Sequence, residues 1–253
     1  MNEPMRTLNT AEQHGLVRSI LLHLIPGVLI TAFFAIAAQP IIKAGYPPLV
    51  ALMLGILFVL IPVELGYLLY QGRKRNNRNS LEGIVLYRER LPLWQFVALM
   101  LALLVWSGLL FAIAAPIDSY FIDNFFGWVP DWFFIADFTE GVSKYSSTSM
   151  GVTLVLALVL NGVAGPVVEE LYFRGYLLPR ISRYGWWAPV LSGVLFSVYH
   201  FWSPWQNLIR ILAVLPMTFI ARWKRNIYIG MWQHVLLNTI GVMLIAVLLL
   251  SAG

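Results

Sequence analysis

Seven apolar stretches constrain this chain more than any other feature. They run at about 20–38, 48–70, 93–115, 149–168, 186–202, 206–222 and 227–250. A bilayer core about 30 Å thick needs roughly 20 mostly apolar residues per helical span. Lipid offers no partner to backbone N–H and C=O groups, so spans of this length must satisfy them internally, as helices. With 59% of residues hydrophobic and only 11% charged, no soluble domain of ordinary composition fits. The expected fold is therefore all-α: a polytopic membrane bundle of about seven transmembrane helices. Zero cysteines exclude disulfides, a thiolate nucleophile and a Cys-ligated zinc.

Basic residues accumulate in cytoplasmic loops. With the N-terminus inside, all of the 17 Lys and Arg except Lys43, Lys144 and Arg210 fall on inner segments, including Arg6, Arg73–Arg75 and Arg222–Arg225. The longest outer loop, about 116–148, holds Asp118, Asp123, Asp131, Asp137 and Glu140 against one lysine. The net charge of +5 needs no nucleic acid, because membrane headgroups account for basic residues beside spans. The first span ends in AFFAIAAQP, similar to a signal-peptidase site, but its long apolar run and the spans behind it predict an uncleaved helix. The compact size and short termini suggest a bacterial plasma membrane protein with a cytoplasmic N-terminus.

No repeat or low-complexity tract divides the chain. The loop QGRKRNNRNSLEG at 71–83 reads as a hinge, and FIDNFFGWVPDWFFIADF at 121–138 as a short interfacial helix. Trp94, Trp186, Trp187, Trp202, Trp205 and Trp223 sit at predicted span ends, as an aromatic belt would. His23, Glu64 and Arg210, in or near spans, read as side chains snorkelling to the headgroups.

Three polar clusters in the late spans resist that reading. The first is GPVVEELYFRG, 165–175, on a helix expected to restart after Gly165 and Pro166. Successive helical residues project about 100° apart, so Glu169 and Glu170 should not aim at one point. Glu170 and Arg174, at i and i+4, can pair, which leaves Glu169 free on the side of Phe173. The second cluster is FSVYH, ending in His200, and the third is HVLLN, with His234 and Asn238 on one helical face. Such groups inside lipid are costly, so they face a cavity, pair, and mark function. The plain alternatives are a solvated helix end, a neutral histidine bonded to a carbonyl, and hydrogen-bond glue between helices.

A free carboxylate, two imidazoles and an amide suffice for hydrolysis of an amide bond. Glu169 can take a proton from water, His200 can share that water, and His234 with Asn238 can donate to the oxyanion. The set works without a metal and is compatible with zinc on Glu169, His200 and His234.

EELYFR, FSVYH and HVLLN, in that order on successive spans, resemble the motifs EExxxR, FxxxH and HxxxN of the CAAX protease and bacteriocin-processing family, also called the Abi or type II CAAX endopeptidase-like family. The resemblance covers roughly 145–250, so residues 145–253 are expected to form the catalytic core and 1–144 to add spans without a motif. It implies an intramembrane endopeptidase with a site opening toward the cytoplasm between helices. In it Glu169 activates water, Glu170 and Arg174 adjoin it, His200 partners the water, and His234 with Asn238 stabilises the oxyanion. The family is labelled metalloprotease, while a metal-free glutamate mechanism is also argued for it; the residue logic leans to the latter. The implied partners are membrane lipids and a peptide or protein with a hydrophobic or lipidated segment. HExxH, GxGD and GxSG are absent, and Ser197, three residues from His200 on one helix, is badly placed for a nucleophile. The competing reading is a non-catalytic immunity or scaffold protein with the same fold.

Overall fold

The apolar runs become helices in the computed structural model, which describes residues 12–134 and 144–251. In chain order these are α1 (Leu16–Lys43), α2 (Pro48–Asn76), α3 (Leu93–Ala112), α4 (Ala115–Phe121), α5 (Ser147–Arg180), α6 (Trp187–Val198), α7 (Asn207–Lys224) and α8 (Tyr228–Ser251). No strand forms among the described residues; one isolated bridge joins Arg88 and Asn226. The result is an all-α polytopic membrane bundle.

Five helices, α1, α2, α3, α5 and α8, are long and apolar enough to span a bilayer. The other two expected spans differ for identifiable reasons. Helix α6 has only 12 residues, a rise of about 18 Å, because the chain turns at Tyr199. Helix α7 has 18 residues but carries Arg210, Arg222 and Lys224.

Helix α5 also departs from expectation. It does not restart at Pro166; it runs unbroken for 34 residues from Ser147 to Arg180. Two stretches widen into π-helical turns, Ala157–Ala164 and Glu170–Leu177, closed by Gly165 N–H to Leu160 O and Leu178 N–H to Phe173 O. Pro166 has no N–H to give, and the widened turn before it lets the helix continue. Pro62 in α2 lies within a similar π-helical stretch, Ile56–Leu65.

The charged segment 71–83 is not a hinge. Gln71–Asn76 finish α2, and the turn beyond is tied down by Arg75 Nη1 donating to Gly83 O (2.7 Å) and Asn76 Nδ2 to Glu82 O (2.9 Å). The chain after it, Ile84–Tyr87, is buried against α5, with Leu86 N–H donating to Gly175 O. In the outer segment, α4 continues as a π-helical turn, Ile122–Phe126, and Phe133 and Trp132 then pack against Phe34 of α1. Asp137, Glu140 and Arg6 lie outside the described residues.

Trp94, Trp186, Trp187 and Trp223 are exposed, as belt residues should be. Trp205 is buried among Phe126, Phe133 and Phe134, and Trp202 lies against His200. The exposed faces of α3 and α8, including Leu93, Val105, Leu109, Leu244 and Val247, are apolar, as lipid-facing surfaces must be.

Candidate active site

The site is built where α2, α3, α5, α6, α7 and α8 surround a cavity of about 260 Å³. Glu169, His200, His234 and Asn238 line it together. Helix α5 brings the paired glutamates, the turn after α6 brings His200, and α8 brings His234 and Asn238.

Glu169 is 5% exposed, and Glu170 and Arg174 are fully buried, so this is no solvated helix end. Arg174 Nη1 lies 3.1 Å from Glu170 Oε1, an ion pair by distance whose angle falls short of a hydrogen bond. The Arg174 guanidinium also covers the Phe196 ring, 3.9 Å from its centre. Burying two opposite charges this deeply is tolerable only because each meets the other.

The two glutamates do aim at one group, contrary to the helical-wheel expectation. His234 sits between them, with Nδ1 3.2 Å from Glu170 Oε1 and Nε2 3.8 Å from Glu169 Oε2. Adjacent side chains diverge at the backbone, but an imidazole offers a nitrogen on each side, so both can reach it. Nδ1–H therefore donates to Glu170, which leaves Nε2 facing Glu169.

His200 Nδ1 donates to Phe196 O at 2.8 Å, which leaves Nε2 as the acceptor of the neutral ring. Its ring packs edge-on against Phe196 and Tyr199. The residue lies beyond the end of α6, not within a span as expected. Asn238 Nδ2 donates to Asn161 O at 2.9 Å, across α8 and the first widened turn of α5.

Among the described residues, no group of three or more His, Asp or Glu comes together in a way that could hold a metal ion. Glu169, His200 and His234 share a cavity without converging as a ligand set.

Residues 151–240 match the family model described as type II CAAX prenyl endopeptidase Rce1-like. That stretch is similar to the Rce1-like family. No curated protein and no solved structure matches the chain. All six motif residues, Glu169 to Asn238, fall within the matched stretch.

Three polar residues that sequence reasoning assigned to the headgroups lie inside instead. Glu64 of α2 is fully buried, and neither of its oxygens has a hydrogen-bond partner. Glu169 is close enough to act on it electrostatically, and the Tyr199 hydroxyl lies beside both carboxylates without closing a hydrogen bond of normal geometry to either. His23 of α1 is buried against Phe173, with Nδ1 donating to Ser19 O at 2.7 Å. Arg210 of α7 is 7% exposed and lines the cavity. A single carboxylate in an apolar run carries no spacing signal, so nothing in the sequence could tie Glu64 to Glu169.

The N-terminal helices close this site. Helix α1 passes so near the turn after α6 that a Cβ on Gly27 would stand 1.9 Å from Tyr199 O. Only glycine permits that approach.

Proposed function

We propose that this chain is an intramembrane endopeptidase that hydrolyses a peptide bond of a membrane-associated or lipidated substrate. The observation that carries the reading is the convergence of Glu169 and Glu170 on His234 at the wall of the cavity, inside the stretch that matches the Rce1-like family model. The family description names a prenyl endopeptidase. In this reading residues 145–253 are the catalytic core, and residues 1–144 supply the helices that seal it.

Glu169 takes a proton from a water in the cavity as the oxygen attacks the scissile carbonyl. His200, through the free lone pair of Nε2, holds the same water. A neutral His234 with its proton on Nδ1 accepts at Nε2. The proton gathered by Glu169 passes to that nitrogen, 3.8 Å away, and makes His234 a donor to the oxyanion and then to the departing amine. Glu170, fixed by Arg174, stabilises the doubly protonated ring. The C–N bond breaks as the amine takes the proton, leaving a carboxylic acid and an amine. No step requires a group outside the chain other than water.

The cavity extends toward the end of α6 and the start of α7, away from the basic ends of α2, α5 and α7. With the basic end in the cytoplasm, substrate reaches the site from the opposite face or sideways from lipid. That departs from the cytoplasmic opening which the resemblance implies.

The test is cleavage of a lipidated peptide library by purified wild type and Glu169→Gln, followed by mass spectrometry with metal content measured. The substitution keeps shape and removes the base, so the rate should fall about 10²- to 10⁴-fold. Cleavage at equal rates would remove Glu169 as the base, and biological activity surviving the substitution would favour the scaffold reading.

A further inference from the structure

Among the described residues, Arg210 is a buried cation without an anion. It lines the cavity in the first turn of α7, which has no acidic residue in that turn. Nη2 donates to Ser203 Oγ and Gln206 Oε1, each at 2.8 Å, and Nη1 donates to Asn207 Oδ1 at 3.1 Å. The carbonyls of Ser197 and Ser203 stand at 3.5 Å, the outer limit of a hydrogen bond. Every one of these acceptors is neutral. Among the described residues no carboxylate lies within ion-pair distance of Arg210, and Nε has no acceptor.

Asp118 reaches Arg210 only through Gln206, whose Nε2 donates to Asp118 Oδ2 at 3.3 Å while its Oε1 accepts from Arg210. The arginine acts on His200 and Glu169 through the field across the cavity without pairing with either. Burying an unpaired charge is expensive, and the partial positive charge at the start of α7 adds to the cost instead of offsetting it. Arg174, the other buried arginine of the site, has its carboxylate in Glu170. The two arginines differ in this one respect.

We propose that Arg210 is the anion anchor of the cavity and takes a carboxylate of the bound peptide. The proposal rests on the reading of the cavity as a peptide site. A planar guanidinium suits a carboxylate better than any other side chain does, and here it is held by Ser203, Gln206 and Asn207 facing a cavity shared with Glu169 and His200. Two carboxylates are available on a peptide: the C-terminal one and that of an acidic side chain. Either would neutralise Arg210 and fix the register of the chain against Glu169. Arg210 is then a specificity-determining residue lying outside the three motifs.

The test measures binding apart from cleavage. The full-length Glu169→Gln protein in detergent is titrated with four N-acylated apolar hexapeptides: one with a free C-terminal acid, its C-terminal amide, and two amides carrying an internal Glu or Gln. The acid peptide, the Glu peptide or both should bind about tenfold more tightly than the matching neutral peptide, as a charge-assisted bond requires. The pair that shows the difference identifies the carboxylate. Adding Arg210→Gln should erase it, and Arg210→Lys, which keeps the charge and guards against a folding defect, should retain a smaller preference. Equal binding of all four peptides, binding of none, or a preference that survives Arg210→Gln overturns the anchor. Cleavage of the same peptides by the Glu169 protein is scored separately. Preference without cleavage removes the protease reading alone, and cleavage without preference removes the anchor alone.

Discussion

The two ends of the bundle are held together differently. At the basic end the helices are stitched by main-chain bonds: His14 N–H to Arg180 O at 2.7 Å, Leu86 N–H to Gly175 O and Ile227 N–H to Tyr87 O at 2.8 Å. Asn226 adds a side-chain bond to Glu89 O at 2.6 Å. At the cavity end the joints are side chains: Asn238 on Asn161 O, Gln206 on Asp118, and the aromatic group around Trp205. Between the ends lie several buried atoms with no hydrogen-bond partner, including both oxygens of Glu64 and the Tyr199 hydroxyl. Main-chain bonds hold one end in register, so the other can carry charge and empty volume that would be unstable in an unsupported core.

The comparison can be broken where the two halves meet. Arg174→Met leaves the buried Glu170 without its cation. Removing one partner of such a pair costs about 3–5 kcal/mol, so the variant should unfold at a clearly lower temperature in detergent, with cleavage lost. A wild-type melting temperature would show that His234 alone compensates Glu170.

A smaller effect is expected at the cavity end. Gly27→Ala drives a methyl into Tyr199 O, which should cost about 1–3 kcal/mol as overpacking does and displace His200. Gly66→Ala and Gly241→Ala, where a Cβ meets nothing within 4 Å, serve as controls. Reduced kcat with unchanged controls would show that α1 seats the site; a fully active Gly27→Ala would show that this contact yields.

The smallest effect belongs to the basic end. Burial, reinforced by Arg18 and Arg180, pushes the His14 imidazole down to about 4 from 6.5. A depressed histidine contributes its stability in full above pH 6.5 and loses it as pH falls toward 4. Acidification through that window should loosen the segment at Arg180, read as lower amide protection near His14 relative to the intrinsic exchange rate at each pH, while His14→Phe should remove the pH dependence of protection. Protection independent of pH in both proteins would rule the histidine out.

Legibility of the site followed the kind of signal available. Glu170 and Arg174, His234 and Asn238 sit at i,i+4 spacing, a local geometry that a helix imposes before any packing. Glu64 and Tyr199 have no such spacing, because their neighbours come from other helices, and the i,i+4 partner of Arg210 is the neutral Gln206, which marks no charge pair. The hydropathy that found seven runs could not show that α6 stops at Val198, since the apolar pattern continues past the turn. Nor could proline's usual meaning foretell α5, where widened turns carry the helix through Pro166.

The sequence by itself determined the membrane, the all-helical class and the late helices that carry the motifs, because lipid leaves a long apolar chain no other way to satisfy its backbone. Tertiary structure alone decided how polar groups meet across helices: His234 between two glutamates, Glu64 beside Glu169, and Arg210 facing the cavity with no anion among the described residues. The physical reason is that burial, and the meeting of side chains from different helices, depend on distances between helices, which no spacing along one helix encodes.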